Sequence, residues 1–327
     1  MSTFLNALII TGPTASGKTQ LSEMIASIRS CEIINADVGQ FYKPLSVGTA
    51  KPDFVNIAYK HHLFDLLDKP EYLSVVKYRN LVTDLVNDIC ARGKIPIIVG
   101  GSLFYIKSLF FPPQELPIQE FKNNNQINID ELDKDQQWEL LRKIDPERAA
   151  ELHQNDNYRI NRALKIWIQT GFKPSVYKPK LRPKFNTLIV YVKPETAILK
   201  DRINTRTMLM INPRSILENG WIEEVEHLIG TDWEEFLQDK NLIGYPEIFE
   251  WIKAGKKSST LPALIEKIQI QTVQYAKRQN TFWKSFERQI LQAAPQSDFL
   301  IQIISVGLPN TEIQNQILTE WDKFTTR

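Results

Sequence analysis

The sequence has little cysteine, no long apolar run and almost no net charge. Two cysteines, Cys31 and Cys90, in 327 residues exclude a disulfide-stapled scaffold and any four-cysteine zinc module. No apolar stretch approaches the ~20 residues that a membrane span needs, so a membrane protein is not expected. The opening MSTFLNALIITGPT lacks a basic n-region and a small-residue cleavage site, and it is not the Arg-rich, acid-poor start of a transit peptide. The expectation is a cytoplasmic enzyme. With 40 Lys and Arg against 38 Asp and Glu, the formal charge is +2, which excludes a uniformly basic surface but leaves room for a local nucleic-acid patch. What the chain does have is 43% hydrophobic and 10% aromatic residues, too many for a disordered chain. Its length allows one large or two modest domains.

The first part alternates short apolar runs with helical patterns, as parallel βαβ units do. Residues 7–11 (ALIIT), 32–35 (EIIN) and 96–99 (PIIV) are strand candidates. Ser74 caps a helix with Tyr78, Leu81, Val82, Leu85, Val86 and Ile89 at i, i+3, i+4, i+7 spacing, closed by Gly93 at C′. A parallel sheet must be covered on both faces, so a doubly wound, three-layer α/β core follows. Pro112, Pro113 and Pro117 then break the chain, and residues 122–128 (KNNNQIN) form a polar connector. Residues 129–170 read as helical, with Leu132, Trp138, Leu140, Leu141, Ala163, Leu164, Ile166 and Trp167 on apolar faces, and Trp251 reads the same way further on. Residues 188–192 (LIVYV) restore strand character. The division expected is a P-loop α/β core from residues 1–117 and 184–290, a helical insertion at 118–183, and a tail at 291–327. That tail holds a strand near 299–306 and a helix carrying Ile313, Ile317, Leu318 and Trp321, with no evident role.

Gly12-Pro13-Thr14-Ala15-Ser16-Gly17-Lys18-Thr19 matches GxxxxGK[ST] between a strand and a helix, the context that gives the motif its meaning. Glycines let backbone N–H groups crowd around phosphate oxygens, and the helix N-terminus adds partial positive charge. Lys18 brings a cation to the terminal phosphate, and the Thr19 hydroxyl is the candidate ligand for Mg²⁺. The motif indicates a di- or triphosphate without saying which molecule carries it. The second apolar strand ending in Asp that nucleotidases use is missing, because residues 96–99 run into Gly100-Gly101-Ser102. The strand-terminal acid is Asp37, at the carboxyl edge where α/β sheets place their sites. By position alone it is a metal ligand, a proton acceptor, or an N-cap in a turn.

Three segments together resemble the tRNA dimethylallyltransferase (tRNA isopentenyltransferase) family: GPTASGKT, residues 35–52 (NADVGQFYKPLSVGTAKP) and residues 99–107 (VGGSLFYIK). Weaker similarities follow in order at residues 61–65 (HHLFD), 155–165 (NDNYRINRALK), 243–245 (IGY) and 275–279 (YAKRQ). The resemblance implies transfer of a dimethylallyl group from its pyrophosphate to N6 of the adenosine 3′ to the anticodon in tRNA. The phosphate loop then holds the prenyl donor's pyrophosphate, the helical insertion grips the anticodon stem-loop, and the flipped adenine enters a channel. The expected partners are tRNA and dimethylallyl pyrophosphate, with Mg²⁺ as cofactor and a monomeric enzyme.

For that chemistry Asp37 is the natural base, since the exocyclic amine of adenine is a poor nucleophile whose proton must be taken up. Lys18, Thr19 with Mg²⁺, and Arg206 would offset charge on the departing pyrophosphate. Arg206 lies in DRINTR, which resembles the family's RIxxR helix, and a solvated arginine is its plain alternative. Ser102 stands where the family has Thr, and the resemblance places it on the channel wall facing base and donor. Gln40 and the backbone of Val38 and Gly39 would meet the base or its neighbours. On the tRNA side the resemblance points to Tyr158, Arg159, Ile160, Asn161 and Arg162. Arg159 and Arg162 share one helix face and suit phosphate contacts, and Lys178, Lys180, Arg182 and Lys184 form a basic stretch or simply a solvated one. His61 and His62 read as ordinary hydrogen-bonded histidines, since adjacent side chains rarely converge on one ion.

The chain departs from the family pattern at Val38 (usually Ser), in the Arg-free IQEFKNNNQ after Pro117, in about six extra residues that include Pro213, and at Asn241 (often Arg or Gln). Prenyl transfer to free adenine nucleotides, a P-loop small-molecule kinase and a non-catalytic RNA binder remain the alternatives.

Overall fold

Short apolar runs assemble one parallel sheet. The strands β1 (Asn6–Thr11), β2 (Cys31–Asn35), β3 (His61–His62), β4 (Ile95–Gly100), β5 (Asn186–Val192) and β6 (Ile301–Val306) lie in the order β3-β2-β4-β1-β5-β6. Neighbours pair in parallel, with Leu8 opposite both Ile97 and Leu188. The computed structural model describes residues 5–54, 59–113, 128–176, 179–211 and 220–326. Pro117, residues 122–127 of the polar connector, Lys178 and Pro213 lie outside the described residues.

The helices in chain order are α1 (Lys18–Ala26), α2 (Val75–Ala91), α3 (Leu103–Phe110), α4 (Lys134–Ile144), α5 (Pro146–Ala150) and α6 (Asn157–Thr170). They continue with α7 (Thr196–Ile211), α8 (Trp221–Glu226), α9 (Asp232–Lys240), α10 (Tyr245–Lys253), α11 (Leu261–Ala293) and α12 (Thr311–Thr325). Among the described residues no helix is long and apolar enough to cross a membrane.

The chain divides into two compact units: Met1–Phe110 with Leu181–Arg327, and Phe111–Lys180. In the first, side chains alternate across the sheet with the period of a strand. Leu8, Ile10, Ile33, Ile97, Val99, Leu188 and Val190 share one core with Leu21 and Ile25 of α1 and with Ile317, Leu318, Trp321 and Phe324 of α12. The intervening Ala7, Ile9, Ile34, Ile98 and Ile189 are buried on the other face, the side on which α2 packs against the central strands. Both faces are covered, which is why the strands read as continuous apolar runs rather than alternating ones. Ser74 caps α2 by accepting the Lys77 N–H at 3.1 Å, a contact worth about 1 kcal/mol.

The placement of two features in this unit carried no sequence signal. The tail at 291–327 supplies the edge strand β6, paired along β5, and the helix α12 that closes one face. The Arg79 guanidinium is buried and donates to the carbonyls of Ser108 (2.9 Å), Leu109 and Arg182 (2.5 Å), joining the end of α3 to the segment that leads into β5.

The second unit is a small helical body. Ile129, Leu141, Ala149, Ile160, Ala163 and Leu164 form its core, with Trp138 packed against it. Asp145 is fully buried there and accepts the Arg148 N–H (3.1 Å) at the start of α5 and the Ser175 N–H (2.7 Å).

Candidate active site

The chain leaves β1 toward β2 on one side and leaves β4 toward β5 on the other, so the carboxyl ends of the adjacent strands β1 and β4 open a crevice at a topological switch point. The phosphate loop follows β1, Asp37 follows β2, and Gly101-Ser102 follows β4. The sheet alone therefore brings three distant sequence motifs together.

The loop needs its glycines for space. A Cβ at Gly12 would lie 2.4 Å from the Val192 carbonyl oxygen, and Gly17 starts α1 at φ 95°, left-handed backbone that favours glycine. Its inner face is polar and incompletely partnered. The Ser16 hydroxyl is buried without a hydrogen-bond partner among the described residues, and Lys18 Nζ folds back to donate to the Pro13 carbonyl at 2.7 Å. Two side chains hold the loop from outside. Arg202 Nε on α7 donates to Ala15 O (2.8 Å), while Gln279 on α11 accepts the Thr14 N–H (2.8 Å) and donates to Gly101 O (2.8 Å).

Asp37 caps a short 3₁₀ turn, its Oδ1 accepting the Gly39 N–H at 3.2 Å, while its own N–H donates to Asn35 Oδ1 at 2.8 Å. It is therefore an N-cap, one of the roles its position allowed, and it also borders the main cavity with Lys18 and Arg206. Burial pushes its carboxyl up, opposed by Lys18, the Gly39 N–H and Arg206. Burial lowers Lys18 to about 8 despite the attraction of Asp37, with Arg206 adding to the fall. Arg206 on α7 is likewise lowered by burial, against the pull of Asp37. These three charges form one coupled set inside a cavity of about 500 Å³.

A second face of the cavity is built from the GTAKP and IGY blocks. Trp221 is buried between two glycines, since a Cβ at Gly48 would fall 2.1 Å from its Nε1 and one at Gly244 2.0 Å from its Cη2. Glu224 accepts the N–H groups of Ser46 (2.6 Å), Val47 (2.6 Å) and Gly48 (3.0 Å), and the Tyr245 hydroxyl (2.7 Å), which fixes this loop. Lys51 donates to the carbonyls of Tyr42 (2.8 Å) and Lys43 (3.3 Å) and to Asp65, anchoring the same segment.

Several expected side chains sit differently from the sequence reading. Ser102 borders neither of the cavities that Asp37 lines. Its Oγ accepts the Val38 N–H at 2.9 Å and its N–H donates to Ala36 O at 3.1 Å, so it braces the Asp37 turn instead of facing the channel. Gln40 is buried, and its amide donates to Thr49 O (3.1 Å) and Ala50 O (3.3 Å); Val38 and Gly39 do border the main cavity. Thr19 is exposed and borders a smaller cavity of about 60 Å³, together with Lys18, Asp37 and Arg206. On α6, Tyr158, Arg159 and Arg162 are exposed and Asn161 is half-buried, whereas Ile160 belongs to the core of the helical unit, so its side chain does not face solvent. His62 Nε2 is 2.7 Å from the buried Glu32 carboxylate, and His61 Nδ1 is 3.2 Å from Tyr59 O.

Glu224 and Lys240, both at the site, had no individual signal, Arg202 was visible only as the first letter of the RIxxR resemblance, and Tyr275 and Gln279 only as the first and last letters of YAKRQ.

Known proteins resemble this chain along most of its length. The family model described as IPP transferase matches residues 40–286. The tRNA dimethylallyltransferase of Acetivibrio thermocellus is 33% identical over 289 residues, covering 86% of this chain and 90% of that protein. That of Rickettsia conorii is 32% identical over 309 residues, covering 89% and 80%. Among solved structures, a eukaryotic dimethylallyltransferase acting on tRNA has a TM-score of 0.80 at 28% identity, over 99% of this chain and 80% of that one. The tRNA isopentenylpyrophosphate transferase of Bacillus halodurans has a TM-score of 0.63 at 26% identity, over 98% of each chain. With a family match across most of its length and about a third of its residues shared with such relatives, this chain belongs to the IPP transferase family.

Proposed function

We propose that this protein transfers a dimethylallyl group from dimethylallyl pyrophosphate to N6 of the adenosine 3′ to the anticodon in tRNA. The observation that carries the reading is the shared cavity in which a phosphate loop, two cations and the half-buried Asp37 carboxylate meet. The relatives' activity supplies the identity of donor and acceptor.

The phosphate loop holds the pyrophosphate through its backbone N–H groups, the unpartnered Ser16 hydroxyl and Lys18. Asp37 accepts a hydrogen bond from the adenine amine and takes its proton as the N6–C1 bond forms. The C1–O bond breaks and its electron pair leaves with the pyrophosphate, whose growing charge is met by Arg206 and by Lys18 once its Nζ turns from the Pro13 carbonyl. Ser102 acts one step back, holding the turn from which Asp37 projects. The Thr19 hydroxyl and Asp37 carboxylate border the same small cavity, an oxygen set that suits Mg²⁺ together with donor oxygens and water. Bound there, the ion would neutralise pyrophosphate charge. The exposed Tyr158, Arg159 and Arg162 on α6 are the proposed tRNA contacts of the helical unit.

The test is incubation with labelled dimethylallyl pyrophosphate and bulk tRNA, with AMP and ATP as competing acceptors. Label is expected in tRNA alone, and Asp37→Asn is expected to lower single-turnover transfer by roughly 10²–10⁴ with donor and tRNA still bound. Label in AMP, or phosphoryl transfer from ATP, would overturn the reading.

A further inference from the structure

Lys240 ends α9 and sits on a seat of aromatic rings. Its Nζ lies 4.6 Å from the ring centre of Tyr72, 5.1 Å from Tyr42 and 5.4 Å from Phe236. Trp233 packs edge-on against both Tyr42 and Phe236 and stiffens the seat. The attraction between an ammonium and ring faces accounts for the cation's position without an acid. Among the described residues no carboxylate pairs with Lys240, and burial alone lowers it, to about 8. The side chain nevertheless borders the main cavity, next to Asn241, Leu242 and Ile243. A cation that is oriented, partly desolvated and lacking a counter-ion on a cavity wall is a receptor for an anion.

Two anions belong to the proposed reaction: the donor's pyrophosphate and the RNA's phosphodiester backbone. Lys18 and Ser16 of the phosphate loop, with Arg206 of α7, already serve the first, whereas Lys240 is anchored on separate elements. One ring of its seat, Tyr72, is 65% exposed, so the seat opens to solvent, the side from which a macromolecular substrate arrives. We infer that Lys240, held by Tyr42, Tyr72 and Phe236, binds a backbone phosphate of the tRNA beside the adenosine that enters the cavity. The inference rests on the tRNA reading above. It adds a contact within the catalytic unit, independent of the helical unit.

The test uses the full chain and an anticodon stem-loop RNA with an adenosine 3′ to the anticodon. RNA affinity is measured across a salt series, and donor affinity is measured separately. Lys240→Met keeps bulk on the rings and removes the charge, and Lys240→Gln serves where methionine disturbs folding. Either variant is expected to weaken RNA binding about tenfold and to flatten the salt slope by about one unit, with donor affinity unchanged. Lys240→Arg is expected to keep the slope. A slope unchanged in Lys240→Met, or a loss confined to donor affinity, would overturn the inference. A wild-type chain that binds the RNA with the expected slope yet transfers no prenyl group would overturn the proposed reaction and leave the seat standing.

Discussion

Lys18 and Asp37 share a buried space in which each charge is costly alone and supported by the other. The free enzyme's pH dependence therefore carries both signs. Donor binding needs Lys18 protonated, so kcat/KM for the donor is expected to fall as pH rises past about 8. Proton uptake needs Asp37 ionised, and burial has raised its carboxyl, so the acid limb is expected above the ordinary range near pH ~4. Both limbs belong to the coupled set with Arg206 rather than to single residues. A profile of kcat/KM between pH 4 and 10 checks this, and a flat alkaline side would remove Lys18 from donor binding. Lys18 and Asp37 were legible because the phosphate-loop spacing and the end of an apolar strand fix their place in any α/β crevice, whereas Arg206 came only from the resemblance of DRINTR to the family's helix. The direction of the Ser102 side chain was not, because it depends on a hydrogen bond to Val38 across 64 residues.

At the scale of elements, α11 controls the loop through one amide. Gln279 is buried and bridges Thr14 of the phosphate loop and Gly101 after β4, so it sets the spacing between the two lips of the crevice. Gln279→Leu would leave a buried N–H and a buried carbonyl without partners, a cost of about 1–3 kcal/mol each. Donor affinity is expected to drop roughly tenfold or more with RNA affinity retained, as separate donor and RNA titrations would read. Equal losses for both ligands would indicate a general loosening of the unit instead. Helix α2 could be drawn in advance because Ser74, the apolar spacing and Gly93 are local signals that agree. The two-residue strand β3 could not, since it is too short to have a period and is defined by its register with β2.

The whole molecule is closed by residues that the sequence left without a role. β6 extends the sheet beyond β5, α12 contributes Ile317, Leu318, Trp321 and Phe324 to the core, and Pro309 between them packs against Gly17, where a Cβ would lie 2.8 Å from its Cδ. Gln314 donates to Met24 O on α1, and Arg29 pairs with Asp322 at 2.8 Å. A chain shortened to end at Gln296 would expose the β5 edge and the apolar side of α1. It is expected to melt well below the full chain and to gain no stability from added pyrophosphate, as thermal unfolding with and without the anion would show. A shortened chain with unchanged melting would make the tail dispensable. The tail was opaque because strand character at 299–306 says nothing of which neighbour it joins, and that neighbour lies more than a hundred residues earlier.

The placement of β6 also bears on how the protein is made. A ribosome delivers the phosphate loop hundreds of residues before its buttress, and domains fold as units once their chain has emerged. The loop at Gly12–Lys18 therefore waits for the Pro309 contact and the α12 face that pack beside it. Nascent chains stalled before residue 301 would carry every proposed catalytic side chain and still lack the finished cradle for the donor.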